Sequence, residues 1–137
     1  MRHLVGEAGL AHLVEVDSAG TAGYHTGEPP DARARAAGRR AGITIAGRAR
    51  KFERGDFESF HYVIAMDTSN LEDLERLAPK AVRHKLALLR SFDPAAPPGA
   101  EVPDPYYGGD EGFDRVIELC RKACAGLLQR IREEHRL

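Results

Sequence analysis

The sequence predicts an α/β fold: a small parallel sheet with helices on both faces, in one domain spanning residues 1–137. Three observations carry this expectation. Tyr62-Val63-Ile64-Ala65-Met66 is apolar throughout rather than at alternate positions, the pattern of a strand covered on both faces. Candidate elements run helix, strand, helix, strand, helix, strand, long loop, helix, the order of parallel α/β units. Phe113, Val116, Ile117, Cys120, Cys124, Leu127, Leu128 and Ile131 recur at three- and four-residue steps, so the last element is an amphipathic helix from about Glu111 to Glu134. A length of 137 residues suits a single domain at about 150 residues per domain.

The elements follow in chain order. Leu4, Val5 and Ala8 have helical spacing, with no capping residue ahead of them. Leu13-Val14-Glu15-Val16 is short and β-rich, and Asp17-Ser18-Ala19-Gly20 ends it as a strand would end. Residues 21–30 form a loop. Pro30 and Asp31 open a helix rich in Ala and Arg that Gly42 closes. Ile43-Thr44-Ile45 is too short to assign alone. Arg48-Ala49-Arg50-Lys51 is a basic turn, and a helical turn starts near Asp56. The strand at 62–66 leads through Asp67-Thr68-Ser69-Asn70 into a helix over 71–77. Ser69 and Glu72 have capping-box spacing there, and Pro79 is the stop. Lys85-Leu86-Ala87-Leu88-Leu89 reads as a strand ended by Phe92-Asp93-Pro94. The stretch 94–109, with Pro94, Pro97, Pro98, Pro103 and Pro105, is a long loop of the kind that usually serves function in a small domain.

Composition excludes several classes. Lys plus Arg number 20 against 21 Asp plus Glu, a net charge of −1, which gives no bulk electrostatic grip on nucleic acid or a membrane surface. No apolar run approaches the roughly 18 residues of a transmembrane span, and the first residues hold no signal-peptide core. Two cysteines cannot build a disulfide framework or a four-Cys zinc site, so a reducing cytoplasm is the expected location. His3, His12, His25, His61, His84 and His135 are scattered without metal-ligand spacing; neither a metal nor a cofactor is expected.

In parallel sheets ligands bind beyond the carboxyl ends of the strands. Three segments fall there: Asp17-Ser18-Ala19-Gly20-Thr21, Met66-Asp67-Thr68-Ser69-Asn70 and the loop carrying Asp104. Asp104-Pro105-Tyr106-Tyr107-Gly108-Gly109 is the most informative of them. Pro105 biases Asp104 toward extended backbone, and two adjacent tyrosines in a loop are costly unless they line something. A carboxylic acid beside an aromatic wall suits general-acid catalysis with a phenol as leaving group, because a phenolate has a pKa near 10 and is a poor leaving group unless protonated. The competing reading is an Asp-Pro turn with packed tyrosines. Arg33, Arg35, Arg39 and Arg40 form a basic helix face that pairs with acidic neighbours or steers an acidic substrate. Tyr24 borders the cleft or packs, and Asp67 reads as a helix-start residue rather than a second acid.

Val16-Asp17-Ser18-Ala19-Gly20-Thr21, Gly27-Glu28-Pro29-Pro30-Asp31, Ala49-Arg50, Tyr62 to Asn70 and Asp104-Pro105-Tyr106-Tyr107-Gly108 occur in this order and with a spacing that together resemble the low-molecular-weight protein tyrosine phosphatase family. The resemblance implies a phosphotyrosine phosphatase I-like fold. It also implies hydrolysis of protein phosphotyrosine or small aryl phosphates through a phosphocysteine intermediate. By the same resemblance Asp104 is the general acid, Tyr106 and Tyr107 flank the substrate ring, and Ser18 supports the phosphate loop.

The departures are specific. That family carries its nucleophile in a loop of Cys, five residues, Arg and a hydroxyl residue between the first strand and first helix. No such loop is present in this sequence, and Met1 aligns inside the family's first helix. The expectation is a fold lacking the first strand, with roughly fifteen to twenty residues missing upstream, and a chain that is inactive alone. Gly47 stands where the family often has His before Arg-Ala-Arg. Cys124 and Arg130 have the literal loop spacing, but they fall inside the final helix, where amides are bonded four residues back and cannot cradle an anion. The alternatives are a non-catalytic phosphatase-like binding protein and an arsenate reductase of the same fold.

Overall fold

The computed structural model describes residues 1–106 and 109–137. Five α-helices and two strands are present among them: α1 (Arg2–Glu7), α2 (Ala32–Arg40), α3 (Asp56–Ser59), β1 (Val63–Ala65), α4 (Thr68–Leu77), β2 (Leu86–Leu88) and α5 (Asp110–His135), with 3-10 turns at Lys80–Lys85 and Leu89–Phe92. β1 and β2 run parallel, with Val63 opposite Leu86, Ile64 opposite Ala87 and Ala65 opposite Leu88.

The apolar run at 62–66 is explained by what covers it. Side chains alternate across a strand. Val63 and Ala65 pack with Phe57, Leu74 and Ala78 on the α3 and α4 side. Ile64 points the other way, into a core of Leu89, Val102, Ala123, Cys124, Leu127 and Ile131 built on α5. A third cluster seats α1 on the same helix through Val5, Leu10 and Leu128. At the far end of α5 the Tyr62 hydroxyl donates to the Glu134 carboxylate and meets His135 Nε2 at 3.1 Å. Burial, followed by the neighbouring Glu134 charge, pushes this phenol up to about 12.

Two local expectations need correction. Residues 13–16 do not form a strand. Leu13 and Val14 amides both turn back onto the Leu10 carbonyl, at 2.9 and 3.0 Å. The extended chain that follows has no ladder partner among the described residues. Its Val16 carbonyl instead accepts from the Arg2 guanidinium at 2.8 and 3.1 Å, and pairing is limited to one bridge, Gly20 to Lys51. β propensity alone makes no strand without a neighbour to receive its hydrogen bonds. The second correction concerns α4, which begins at Thr68 and is capped by Asp67, not by Ser69. Asp67 has extended backbone, and its carboxylate accepts from the Asn70 amide at 2.7 Å.

Other local signals match their expected elements. Asp31 caps α2 by accepting from the Arg33 amide at 2.8 Å, and Gly42 follows the helix with φ +75°. Two further glycines permit close approach. A Cβ on Gly38 would lie 2.5 Å from Ile45 Cγ1, and one on Gly126 would lie 1.8 Å from the Phe92 carbonyl oxygen. At the second position the obstacle is backbone, so the turn after β2 must move away from α5. Gly126→Ala is expected to destabilise the fold by about 3 kcal/mol in a denaturant titration. Gly6→Ala, whose Cβ meets nothing within 4 Å in α1, should be neutral or stabilising.

Candidate active site

The loop carrying Asp104 is anchored at the carboxyl end of β1. The Val102 amide donates to the Met66 carbonyl at 2.8 Å, and the Thr68 amide donates to the Glu101 carboxylate at 2.6 Å. Two residues beyond Val102, the exposed Asp104 accepts from the Tyr106 amide at 3.0 Å, a side-chain-closed turn around Pro105. Pro105 lies against the first turn of α5, where a Cβ on Gly112 would come within 3.3 Å of its own Cβ. The Tyr106 side of this turn faces solvent at 57% exposure. Tyr107 lies outside the described residues.

Ser18 stands at a second cluster, held by a node that the sequence pattern showed only as a basic turn. The Arg50 guanidinium reaches Asp17 at 3.1 Å and Asp56 at 2.8 Å. The other Asp17 oxygen accepts from the Ser18 amide at 2.8 Å. Backbone bonds from Gly20 to the Arg50 carbonyl and from Phe52 to the Gly20 carbonyl, both 2.8 Å, fix the two segments side by side. Hydrogen bonding to Asp56 raises Arg50 above its ordinary value, and the same bond holds the Asp56 carboxyl below the usual range.

A cavity of about 380 Å³ opens beside the Ser18 cluster. Ser18, Asp17 and Val16 line one part of it, and Phe113, Val116 and Cys120 of α5 line another. Phe113 also carries the Arg33 guanidinium, 4.7 Å from its centroid, and the same guanidinium lies 5.5 Å from the Tyr106 ring. The described residues of the Asp104 turn do not line this cavity; the link between them runs from Phe113 through the Arg33 guanidinium to the Tyr106 ring. A larger hollow of about 580 Å³, between α4 and the start of β2, is lined by Leu71, Glu75 and Arg83 and holds none of these residues.

Neither cysteine is placed as a nucleophile. Cys124 is 6% exposed inside α5, and Arg130, its partner in the literal loop spacing, lies over the Phe92 ring and reaches Glu134 at 3.8 Å. Burial, and then the neighbouring Cys124, push the Cys120 thiol up to about 11, leaving it protonated at neutral pH. Tyr24 is exposed and packs edge-on against His25, which in turn bonds Glu28 at 2.9 Å. Among the described residues no three His, Cys, Asp or Glu side chains converge as metal ligands, and no helix is long and apolar enough to cross a membrane.

The Arg50–Asp56 pair gives a pH signature. Asp56 is 15% exposed and its folded carboxyl sits below the unfolded value of about 3.9, so its stabilisation is present above that value and is lost as pH falls through the folded one. Asp56→Asn is expected to lower Tm by a constant amount above about pH 5, with the gap closing below about pH 4. A gap that persists in acid would assign the effect to packing rather than charge.

Comparison with known proteins gives a single family. The family model for low molecular weight phosphotyrosine protein phosphatase matches residues 1–137. A low molecular weight protein-tyrosine-phosphatase of Streptomyces coelicolor is 45% identical over 97% of this chain and 82% of its own length. The Homo sapiens low molecular weight phosphotyrosine protein phosphatase is 38% identical over 94% of this chain and 82% of its own. A crystal structure of a protein tyrosine phosphatase from Entamoeba histolytica, with Hepes in its active site, superposes with a TM-score of 0.92 at 34% identity, covering 99% of this chain and 86% of that one. With its small parallel sheet between helices and the Asp104 turn at the carboxyl end of β1, this chain belongs to the low molecular weight phosphotyrosine protein phosphatase family.

Proposed function

We propose that the chemistry of this fold is hydrolysis of protein phosphotyrosine and small aryl phosphate monoesters through a phosphocysteine intermediate, with Asp104 as the general acid. Tyr106 and Tyr107 would flank the substrate ring, and Ser18 would support the phosphate cradle. The observation that carries the reading is the placement of Asp104: an exposed carboxylate, tied through Val102 to the carboxyl end of β1 and joined to an aromatic side chain in one turn. In the first step a cysteine thiolate attacks phosphorus, the bond from phosphorus to the aryl oxygen breaks, and the Asp104 proton passes to that oxygen. In the second step water attacks the phosphocysteine, its proton returns to Asp104, and thiolate and phosphate are released. The two unpaired cysteines suit a reducing cytoplasm.

The described residues supply the acid and not the nucleophile. Cys124 is buried in α5, and the half-buried Cys120 holds its thiol protonated, which fits an arsenate reductase poorly because that chemistry needs reactive redox thiols. The 137-residue chain by itself is therefore inactive in this reading.

The purified chain is expected to release no p-nitrophenolate from p-nitrophenyl phosphate above the protein-free rate. Turnover that disappears in Cys124→Ser would move the nucleophile into α5 and overturn the reading. For the acid, residues 1–137 joined to a strand and Cys-x5-Arg loop of the family should hydrolyse aryl phosphates. There Asp104→Asn should lower kcat for phenyl phosphate by about 10²- to 10⁴-fold, with KM little changed. The loss should be smaller for p-nitrophenyl phosphate, whose leaving group needs less help from a proton. Equal rates with and without the Asp104→Asn substitution would remove Asp104 from the role.

A further inference from the structure

We propose that Arg33 is a positioning residue for the acid turn: its guanidinium, locked at the start of α2 by Asp31, is the platform that fixes the Tyr106 ring and with it the Asp104 carboxylate. The catalytic meaning of this inference rests on the reading of Asp104 as the acid; the geometry and its test do not.

Asp31 grips Arg33 at three points. Its Oδ1 accepts from the Arg33 amide at 2.8 Å and from Nε at 3.2 Å, and its Oδ2 accepts from Nη2 at 3.0 Å. The residue that caps the helix therefore also orients the guanidinium plane. That plane faces two rings from different segments, Phe113 at 4.7 Å in the first turn of α5 and Tyr106 at 5.5 Å in the acid turn. Both fall within the roughly 6 Å over which a cation is attracted to a ring face.

The platform is stationary because α2 is fastened to α5 at its other end. Arg40 Nε and Nη2 donate to Asp114 at 3.0 and 2.8 Å, and Arg121 donates to the Ala41 carbonyl at 2.9 Å. The acid turn moves as a unit, since the Asp104 carboxylate is hydrogen-bonded to the Tyr106 amide at 3.0 Å. Fixing the ring of Tyr106 therefore limits where the Asp104 oxygens can go. Lysine cannot do the same work: an ammonium has no planar fork for Asp31 and no flat face for two rings.

The test needs no turnover. Exchange of the Tyr106 amide, followed by NMR on the 137-residue chain, is expected to accelerate about 5- to 30-fold in Arg33→Ala, with β1 and α4 unchanged. Arg33→Lys should restore part of the protection, and Asp31→Ala should loosen the turn although Arg33 is intact. The Arg33 Nε–H resonance, displaced by the currents of two rings, should move toward its free position in Tyr106→Leu while α2 stays protected. Unchanged exchange of the Tyr106 amide in Arg33→Ala would reduce Arg33 to a partner of the α2 cap and overturn the proposal. Acceleration spread equally over β1 and α4, or an Arg33 Nε–H resonance indifferent to Tyr106→Leu, would overturn it too. Failure of the Asp104→Asn rate effect would leave these outcomes untouched, so the two ideas fall separately.

Discussion

Cover on both faces of β1 decides where polar chemistry can sit. Val63 and Ala65 are buried against the α3 and α4 side, and Ile64 against α5, so neither face of the strand can host a charged group without large desolvation cost. The free position is the carboxyl end. There the Met66 carbonyl takes the Val102 amide, Asp67 caps α4, and the Glu101 carboxylate closes on the Thr68 amide. Two segments distant in sequence, 66–70 and 101–102, converge because the end of the strand offers backbone groups that the sheet itself does not use. The close approach of α5 at Gly126 belongs to the same constraint, since a long helix can seal one face of so short a sheet only by pressing against the turn that follows β2.

Much of this was legible because the relevant signals are local. The uniform apolarity of 62–66, the Asp31 cap, Gly42 after its helix and the stripe along α5 each follow from neighbours within a few residues. The Asp104 turn was legible for the same reason: Asp, Pro and Tyr in that order already define it. Residues 13–16 were misread because a strand is a relation between two segments, and Leu13-Val14-Glu15-Val16 carries only its own half. The same limit hid the Arg50 node. Nothing near Arg50 in sequence announces Asp17, thirty-three positions away, and the short link to Asp56 became visible only once the chain was folded. The Ser69 and Glu72 spacing was a genuine capping pattern, displaced because Asp67, two residues earlier, reached the Asn70 amide first. Val116, Ile117 and Cys120 belong to the apolar stripe but line the cavity instead of filling a core, a distinction periodicity cannot make.

Charge around the cavity explains why an acid is not by itself a phosphatase. Arg50 is shared between the Asp17 and Asp56 carboxylates, Arg33 is held by Asp31, and Arg2 reaches Asp17 at 3.8 Å while bonding the Val16 carbonyl. These guanidinium groups serve structure, and their positive charge is largely matched where it stands. A phosphate dianion entering beside Ser18 would meet the Asp17 carboxylate nearby. Binding it requires backbone amides aimed at one point and a cation not already spoken for, which is what a Cys-x5-Arg loop at a helix N-terminus supplies.

In the proposed reaction the Asp104 turn has a task that differs from holding phosphate. Proton transfer demands that a carboxyl oxygen come within about 3 Å of the departing oxygen, and misplacement by about 1 Å can cost on the order of 10²-fold in rate. A loop rich in proline reaches such tolerance by combining restraints of different kinds. The Val102 hydrogen bond is worth about 1 kcal/mol net and fixes the entry. Contact of Pro105 with Gly112 fixes the height of the turn over α5. The Arg33 platform limits the swing of Tyr106. No single restraint is strong enough to freeze the loop, so the turn can still yield to an entering aromatic ring. Together they narrow where the Asp104 carboxylate can go, which is what the proposed proton transfer requires.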